Sequence, residues 1–384
     1  MDKLKILLIG TGIKVKTFAN MLKNNSKVDK IYIAPGIETS DKFWENIDIR
    51  ENNVEELLKF VLDNNINLTV PLSENALKSD IAGFFQTNNQ NIFAPTKQAS
   101  KIMTDKIAGK KFLYKYHSKM AKFCVCDKIN TANDFLQHCT FPIIVKSDTN
   151  SIICTSLAQA KKTLLNFFND SDKEIIIEEY IYGSIFTIYY VTDGYSAVPI
   201  TSVENLKFAK DGNLTSGVGC FAPNYKISNK VNSEINILAN TIIKVLEGKR
   251  TPYMGIFGIE CFLTDVDEFL VNEIKPFFSD IEAPVILNSL NTDFLDIIYS
   301  CINGFFSDEY EDINLRDEYF ISVLAKIKNQ QNNIKSANND FNIETFDKIG
   351  GNILITKHST TLKRAKDLLR EELEGDLFEA CIEI

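Results

Sequence analysis

Along the first hundred residues, short apolar runs alternate with stretches of helical periodicity. Leu4-Lys5-Ile6-Leu7-Leu8-Ile9 reads as a buried strand closed by Gly10-Thr11-Gly12, and a helix follows to about Asn24. Lys30-Ile31-Tyr32-Ile33 predicts a second strand stopped by Ala34-Pro35-Gly36, and Val54, Leu57, Leu58 and Val61 share one face of the next helix. Leu68-Thr69-Val70 and Ile92-Phe93 predict a third and a fourth strand. Alternation at this spacing predicts a parallel, doubly wound sheet. Ligands of such sheets sit beyond the carboxyl ends of the strands, where the Gly and Pro turns fall.

From residue 100 to 310 the pattern changes. Helical segments at 101–118 and 156–168 flank the strand Pro142–Lys146, and longer strands follow at Glu174–Tyr180, Ile185–Val191, Gly258–Leu263 and Glu268–Glu273. Two of these pairs have hairpin-like separations, so an α+β unit with antiparallel sheet is expected. Asn329-Gln330-Gln331-Asn332-Asn333 opens a polar linker to about 342. Beyond it, Gly351–Lys357 reads as a strand. Leu362, Ala365, Leu368, Leu369 and Leu373 read as a helix face that ends near Gly375. The expected organisation is an N-terminal domain over 1–99, a central one over 100–310 and a small α+β domain over 311–384.

Composition narrows the class. The 384 residues carry a net charge of −9, so the basic face of a nucleic-acid binder is not expected. No apolar run approaches the roughly 18 residues of a membrane helix, and the N-terminus leads directly into a strand rather than a signal peptide. Eight cysteines are scattered and three histidines form no ligand pair. Only Cys124-Val125-Cys126 is close-set, a poor zinc signature. Reduced thiols in a cytoplasm, small-molecule partners, and a monomer or weak homodimer are the expectation.

Gly10-Thr11-Gly12 lies between a strand and a helix, which suits either a tight turn or an anion at the helix N-terminus. Val15 stands where a dinucleotide fingerprint has its third glycine, and no acidic residue ends the second strand. A second constellation is spread over the middle of the chain. Lys106 opens a helix and Lys146 ends a strand. Glu260 and Glu273 lie on two neighbouring strands, 13 residues apart. Together they offer two cations for polyphosphate oxygens, a strand edge at 175–181 for a base, and two facing carboxylates for magnesium. Activation of a carboxylate by ATP requires that combination.

In order and spacing, the chain resembles the ATP-grasp superfamily and, within it, the phosphoribosylamine–glycine ligase family. Ala34-Pro35-Gly36, Leu72-Ser73-Glu74, Ile92–Thr96, Asp105-Lys106, Ile143–Lys146, Glu178–Gly183, Thr215–Gly219, Glu273–Glu282 and Gly350–Leu354 stand where that family has its motifs. The resemblance implies an N-terminal pre-ATP-grasp domain, an ATP-grasp domain with a lid at about 118–182, and a small C-terminal domain. It implies that ATP phosphorylates glycine and that the amine of phosphoribosylamine attacks the acyl phosphate, a step of purine biosynthesis. Lys106 and Lys146 would hold ATP phosphates, and Glu179, Tyr180 and Ile181 would line the adenine slot. Glu260 and Glu273 would hold magnesium, with manganese as an alternative, and Asp280 would act beside them in catalysis. Gly10, Gly12, Glu74, Gly217, Asp280 and Glu282 would lie at the acceptor substrate.

Several positions depart from the family pattern. Ile185 replaces a ribose-holding glutamate, Phe277 an arginine, and Lys275 a metal-binding asparagine. Ser147–Cys154 replaces a longer glycine-rich loop. A ligase for another acid and amine, and a non-catalytic relative that keeps the fold, are therefore the two alternatives.

Overall fold

A computed structural model describes residues 3–37, 43–147, 150–170, 174–208, 214–327, 342–345, 352–373 and 378–380. The chain opens with β1 (Leu4–Gly10), α1 (Ile13–Lys23), β2 (Val28–Pro35), β3 (Trp44–Asn46), α2 (Val54–Asn64) and β4 (Leu68–Pro71). The strands form a parallel sheet in the order β3-β2-β1-β4. Its strands are apolar on both faces, because α1 covers one side and α2 the other. The expected fourth strand is a single parallel bridge, Thr69 with Ile92. The short β3 edge carries no alternation that would have announced it.

Four helices follow: α3 (Glu74–Lys78), α4 (Ile81–Thr87), α5 (Lys97–Thr104) and α6 (Lys106–Lys115). The single helix expected at 101–118 is thus two. Asp105 leaves the helical conformation and its carboxylate accepts the amides of Ile107 and Ala108, at 3.0 and 2.9 Å, restarting the chain as α6.

The next elements are β5 (Phe123–Cys126), α7 (Ile129–Leu136), β6 (Ile143–Lys146), β7 (Ser151–Cys154), α8 (Leu157–Asp170) and β8 (Ile175–Glu179). They make a small antiparallel sheet, β5-β8-β6-β7, with α7 and α8 packed on one face. The chain then enters β9 (Ser184–Thr192), β10 (Ala197–Phe208), β11 (Leu214–Ala222), α9 (Asn229–Gly248), β12 (Gly255–Leu263) and β13 (Phe269–Lys275). Only one of the two expected hairpins forms. The β12–β13 pair is antiparallel, whereas β8 and β9 belong to different sheets, so residues 180–183 are a bridge between them.

The remainder comprises α10 (Glu282–Leu287), α11 (Phe294–Asn303), α12 (Phe306–Glu309), β14 (Tyr319–Ile327), β15 (Asn342–Thr345), β16 (Asn352–Ser359), α13 (Leu362–Leu373) and β17 (Phe378–Ala380). The large sheet runs β13-β12-β9-β10-β11-β14-β16-β15, with β17 on β14. The β11–β14 pairing joins the C-terminal strands to the central ones. On one face α10 and α11 fuse the large sheet with α1 and the parallel sheet; on the other, α9, α5 and α6 close a second core. The polar linker over 329–341 and the Gly375 helix end lie outside the described residues. No described helix is long and apolar enough to cross a membrane.

The α5–α6 break positions Lys106 and Lys110, so its cap is testable. Asp105→Ala is expected to lower unfolding free energy by about 1 kcal/mol, the usual loss for an N-cap carboxylate, measured by urea denaturation. Asp105→Asn, which keeps an acceptor, should recover most of it.

Candidate active site

The two antiparallel sheets face each other across a cleft of about 600 Å³. One wall comes from the small sheet and the bridge that leaves it, with Ile144, Lys146, Tyr180 and Ile181. The opposite wall comes from the large sheet, with Ile185, Phe262, Glu273 and Lys275. Lys106, Lys14, Glu74 and Phe277 complete the lining. A neighbouring cavity of about 890 Å³ shares Glu74, Lys106, Glu273 and Lys275 and adds Lys97 and Lys101.

Beneath the cleft runs a chain of buried charges. Glu178, 2% exposed, receives Lys110 on one oxygen at 2.8 Å and Lys146 on the other. Lys146 also donates to the Asn272 side-chain oxygen at 2.9 Å. The Asn272 amide nitrogen donates to Glu260 Oε1 at 2.6 Å, and Lys275 Nζ meets Glu260 Oε2 at 2.7 Å. Lys275 also lies 3.5 Å from Glu282, whose other oxygen accepts Tyr189 OH at 2.7 Å and the Ser279 amide at 2.8 Å.

A β-bulge creates the middle of this chain. Register pairs Glu260 with Glu273 and Cys261 with Val271, which leaves Asn272 as the extra residue and turns it toward Glu260.

Burial and charge oppose each other at every link. Burial would lower the Lys146 and Lys275 pKa values, yet the neighbouring carboxylates hold both above the ordinary lysine value, Lys275 well above it. Burial would raise Glu178 and Glu282, yet Lys146 and Lys110 in one case, and Lys275 in the other, hold both below the ordinary carboxyl value. Lys110 is the exception, lowered by desolvation that its share of Glu178 does not overcome.

At the β1–α1 turn, Asp280 caps α1. Its carboxylate accepts the Lys14 amide at 2.8 Å. Gly12 has φ 85°, and a Cβ there would lie 2.6 Å from an Asp280 oxygen. The anion at this helix N-terminus is therefore one of the chain's own carboxylates. Lys14 Nζ sits 4.5 Å from the Phe277 ring centroid, and desolvation lowers its pKa against the pull of Asp280, Glu74 and Glu51.

Two family models cover most of the chain: the phosphoribosylglycinamide synthetase N domain over residues 4–103 and the ATP-grasp (A) domain of the same family over 104–283. The phosphoribosylamine–glycine ligase of Clostridium acetobutylicum is 31% identical over 345 residues, 86% of this chain and 82% of the relative. The chain belongs to the phosphoribosylglycinamide synthetase family. Its members are ATP-grasp ligases that form a C–N bond in purine biosynthesis. Among solved structures, the phosphoribosylamine–glycine ligase of Thermotoga maritima superposes with a TM-score of 0.78 at 17% identity, covering 98% of this chain and 97% of that one. The biotin carboxylase domain of the Hydrogenobacter thermophilus 2-oxoglutarate carboxylase, solved with ADP, its magnesium salt and bicarbonate, gives 0.75 at 12% identity, covering 99% and 91%.

Against this synthetase background, the structure distributes the expected residues unevenly. Lys106, Lys146, Tyr180, Ile181, Glu74 and Glu273 line the cleft. Glu179 points to the other side of its strand and pairs with Lys122 at 3.5 Å. Glu282 is 1% exposed and bonded within the protein. Gly10 and Gly12 shape the β1–α1 turn, and Gly217 lies on β11, near Ile281. Lys110, Glu178 and Asn272 were not foreseen. Only the strict alternation of β8, which puts Glu178 and Glu179 on opposite faces, held a clue to Glu178.

Magnesium was expected between Glu260 and Glu273. The two are in register, but both Glu260 oxygens are engaged, one by an amide and one by an ammonium. A hard divalent ion needs about six oxygen ligands. At a nucleotide, one or two carboxylates supply part of this set and phosphates and water the rest, so the carboxylates must have oxygens free. The surroundings of Glu260 do not fit a resident magnesium ion.

Two outcomes follow for the buried chain. Glu178→Gln leaves Lys110 and Lys146 without their counter-charge and is expected to destabilise by about 3–5 kcal/mol in urea denaturation. Stability should be level between about pH 5 and pH 8, above which the buried thiols of Cys220, Cys261 and Cys301, whose pKa values desolvation raises, begin to lower it. It falls in acid because Glu178 and Glu282, held below their unfolded values near 4.3, must take up protons. In alkali the contribution of Lys146 and Lys275 is full below their unfolded value near 10.4 and is lost as pH rises from there through their raised folded values. Denaturation midpoints across pH check both limbs, and Glu178→Gln should shrink the acid limb.

Proposed function

We propose that this chain joins the carboxylate of glycine to the amine of phosphoribosylamine, with ATP bound in the cleft between the two sheets. The observation that carries the reading is the lining of that cleft. It gathers apolar side chains (Ile144, Ile181, Ile185, Phe262), Lys106, Lys146 and Glu273, and Lys14 from the α1 turn, around one space. The γ-phosphoryl group passes to a glycine carboxylate oxygen and ADP leaves. The amine nitrogen then attacks the acyl carbon, phosphate departs, and the amine gives up a proton as the amide forms.

Ile144, Tyr180 and Ile181 enclose the base, and Lys106 and Lys146 face the phosphates. No side-chain nucleophile is needed, since alignment and charge placement supply the acceleration. Magnesium brought in as MgATP would neutralise charge on the phosphates, and Glu273 is the carboxylate that would hold it. At the acceptor end, Lys14 offers a cation beside Phe277, and Glu74 can orient an amine. Residues 1–99 form the acceptor-side domain in this reading, 100–310 the ATP-grasp domain with its lid at 118–182, and 311–384 the C-terminal domain. All seven described cysteines are free, which suits a cytoplasmic enzyme, active as a monomer or weak homodimer.

One observation favours a different acid and amine. Phe277 places an aromatic ring against Lys14 where the family carries an arginine, narrowing the polar contacts at that end. ADP release with MgATP, glycine and freshly generated phosphoribosylamine, and with each substrate omitted, separates the readings. Turnover is expected only with both substrates. Glu273→Ala should lower it about 100-fold or more, the scale of losing a charge contact made in the transition state. ATP binding without turnover would leave the fold's nucleotide site but remove this substrate pair. Neither binding nor turnover would leave only the fold.

A further inference from the structure

Resting on the ATP reading, we propose that the Lys275 ammonium is a built-in counter-ion that occupies the Glu260 carboxylate and keeps a divalent ion off it. ATP is then taken up with a single divalent ion, on the Glu273 side.

The backbone dictates the position. Directly opposed residues of an antiparallel pair project to the same face, as do residues two apart on one strand. The β12–β13 register opposes Glu260 to Glu273 and Gly258 to Lys275, so both glutamates and the lysine share one face. Gly258 lacks the side chain that would crowd this face, and a Cβ there would lie 2.6 Å from the Tyr189 ring. Lys275 therefore bends along the sheet to Glu260, 2.7 Å away, with Thr187 Oγ1 at 3.4 Å and Glu282 at 3.5 Å. Its side chain is 18% exposed and lines the same cleft as Glu273, Lys106 and Lys146.

The surrounding charges agree with the position. Lys110, Lys146 and Lys275 pair with Glu178, Glu260 and Glu282, and all three lysines also feel Glu273. With a neutral residue at 275, the Glu260 carboxylate would lose the ammonium in contact with its Oε2, leaving that oxygen open to an incoming metal. The lysine keeps it closed. A second cation at the same carboxylate would meet like charge at contact distance, in a poorly screened site. The nucleotide's phosphates thus meet a tethered ammonium in place of one exchangeable ion.

Manganese provides the count. Bound Mn2+ per protein–nucleotide complex is measured by loss of the free-ion paramagnetic resonance signal at saturating non-hydrolysable ATP analogue (AMP-PNP). Nucleotide affinity is measured in parallel by titration calorimetry. Wild-type protein is expected to bind one Mn2+ per complex, and Lys275→Asn, which exchanges the cation for an oxygen ligand, two. Lys275→Met should keep the count at one and weaken nucleotide binding about tenfold, the scale of one charged contact. Two ions in the wild-type complex would overturn the inference while leaving the ATP reading standing. A folded Lys275→Asn that still binds only one would also overturn it. Absence of nucleotide binding at any Mn2+ concentration would remove the ATP reading, and this inference with it. Should Lys275→Asn fail to fold, the wild-type count alone decides.

Discussion

The contact between Lys275 and Glu260 is the constraint around which the site is arranged. Glu260 is completely buried in the large sheet, where an ionised carboxylate without compensation would be driven to neutralise. Lys275 meets that need from the adjacent strand, and the Asn272 amide, thrown inward by the bulge, meets the other oxygen. Asn272 then holds Lys146, Lys146 holds Glu178, and Glu178 holds Lys110 on α6. One line of alternating charge thus ties the large sheet, the small sheet and the helix bearing Lys106. The opening of the cleft is set by these links as much as by apolar packing. Buried ion pairs of this kind contribute little net stability, because desolvation offsets attraction, but removing one member is destabilising. What they confer here is position.

The same line explains which parts of the site were readable from residues. Glu260 and Glu273 were legible as a facing pair because a separation of 13 residues across a short turn leaves few registers. The bulge was not legible, and it decides that Asn272 turns in beside Glu273. Glu178 and Glu179 are neighbours of equal chemistry on one strand. A period of two sends them to opposite faces, and only the packing of β8 between β5 and β6 selects Glu178 for the interior. Lys110 and Lys111 pose the same problem on a helix. Lys110 turns inward to Glu178 and Lys111 outward to Glu174, a choice made by tertiary contacts.

At the level of fold, the parallel sheet was legible because its buried strands are continuous apolar runs closed by Gly and Pro. The β8–β9 connection misled for a physical reason. A four-residue link between two strands is the ordinary signature of a hairpin, yet here it carries the chain from one sheet to another. That crossing produces the cleft: Tyr180, Ile181 and Gly183 lie on the link itself. A local pattern cannot distinguish a turn within a sheet from a step between two, because the difference lies in partners distant in sequence.

The substrate end shows how one replacement is absorbed by another. Asp280 occupies the α1 N-terminus, so the amides that could have held a ligand anion are partly satisfied from within. The close approach demands Gly12, since any Cβ would strike the carboxylate. The capping turn in turn directs Lys14 onto the Phe277 ring in the cleft lining. The cation absent at position 277 is therefore matched by one from α1 at the same end of the cleft. A lysine held over an aromatic ring is a compact point charge without the planar fork of a guanidinium. An anion meeting it would be held by charge and shape more than by paired hydrogen bonds. Both departures, at Lys275 and at Phe277, thus leave the number of cations near the reacting groups undiminished while changing their chemistry and the element that carries them.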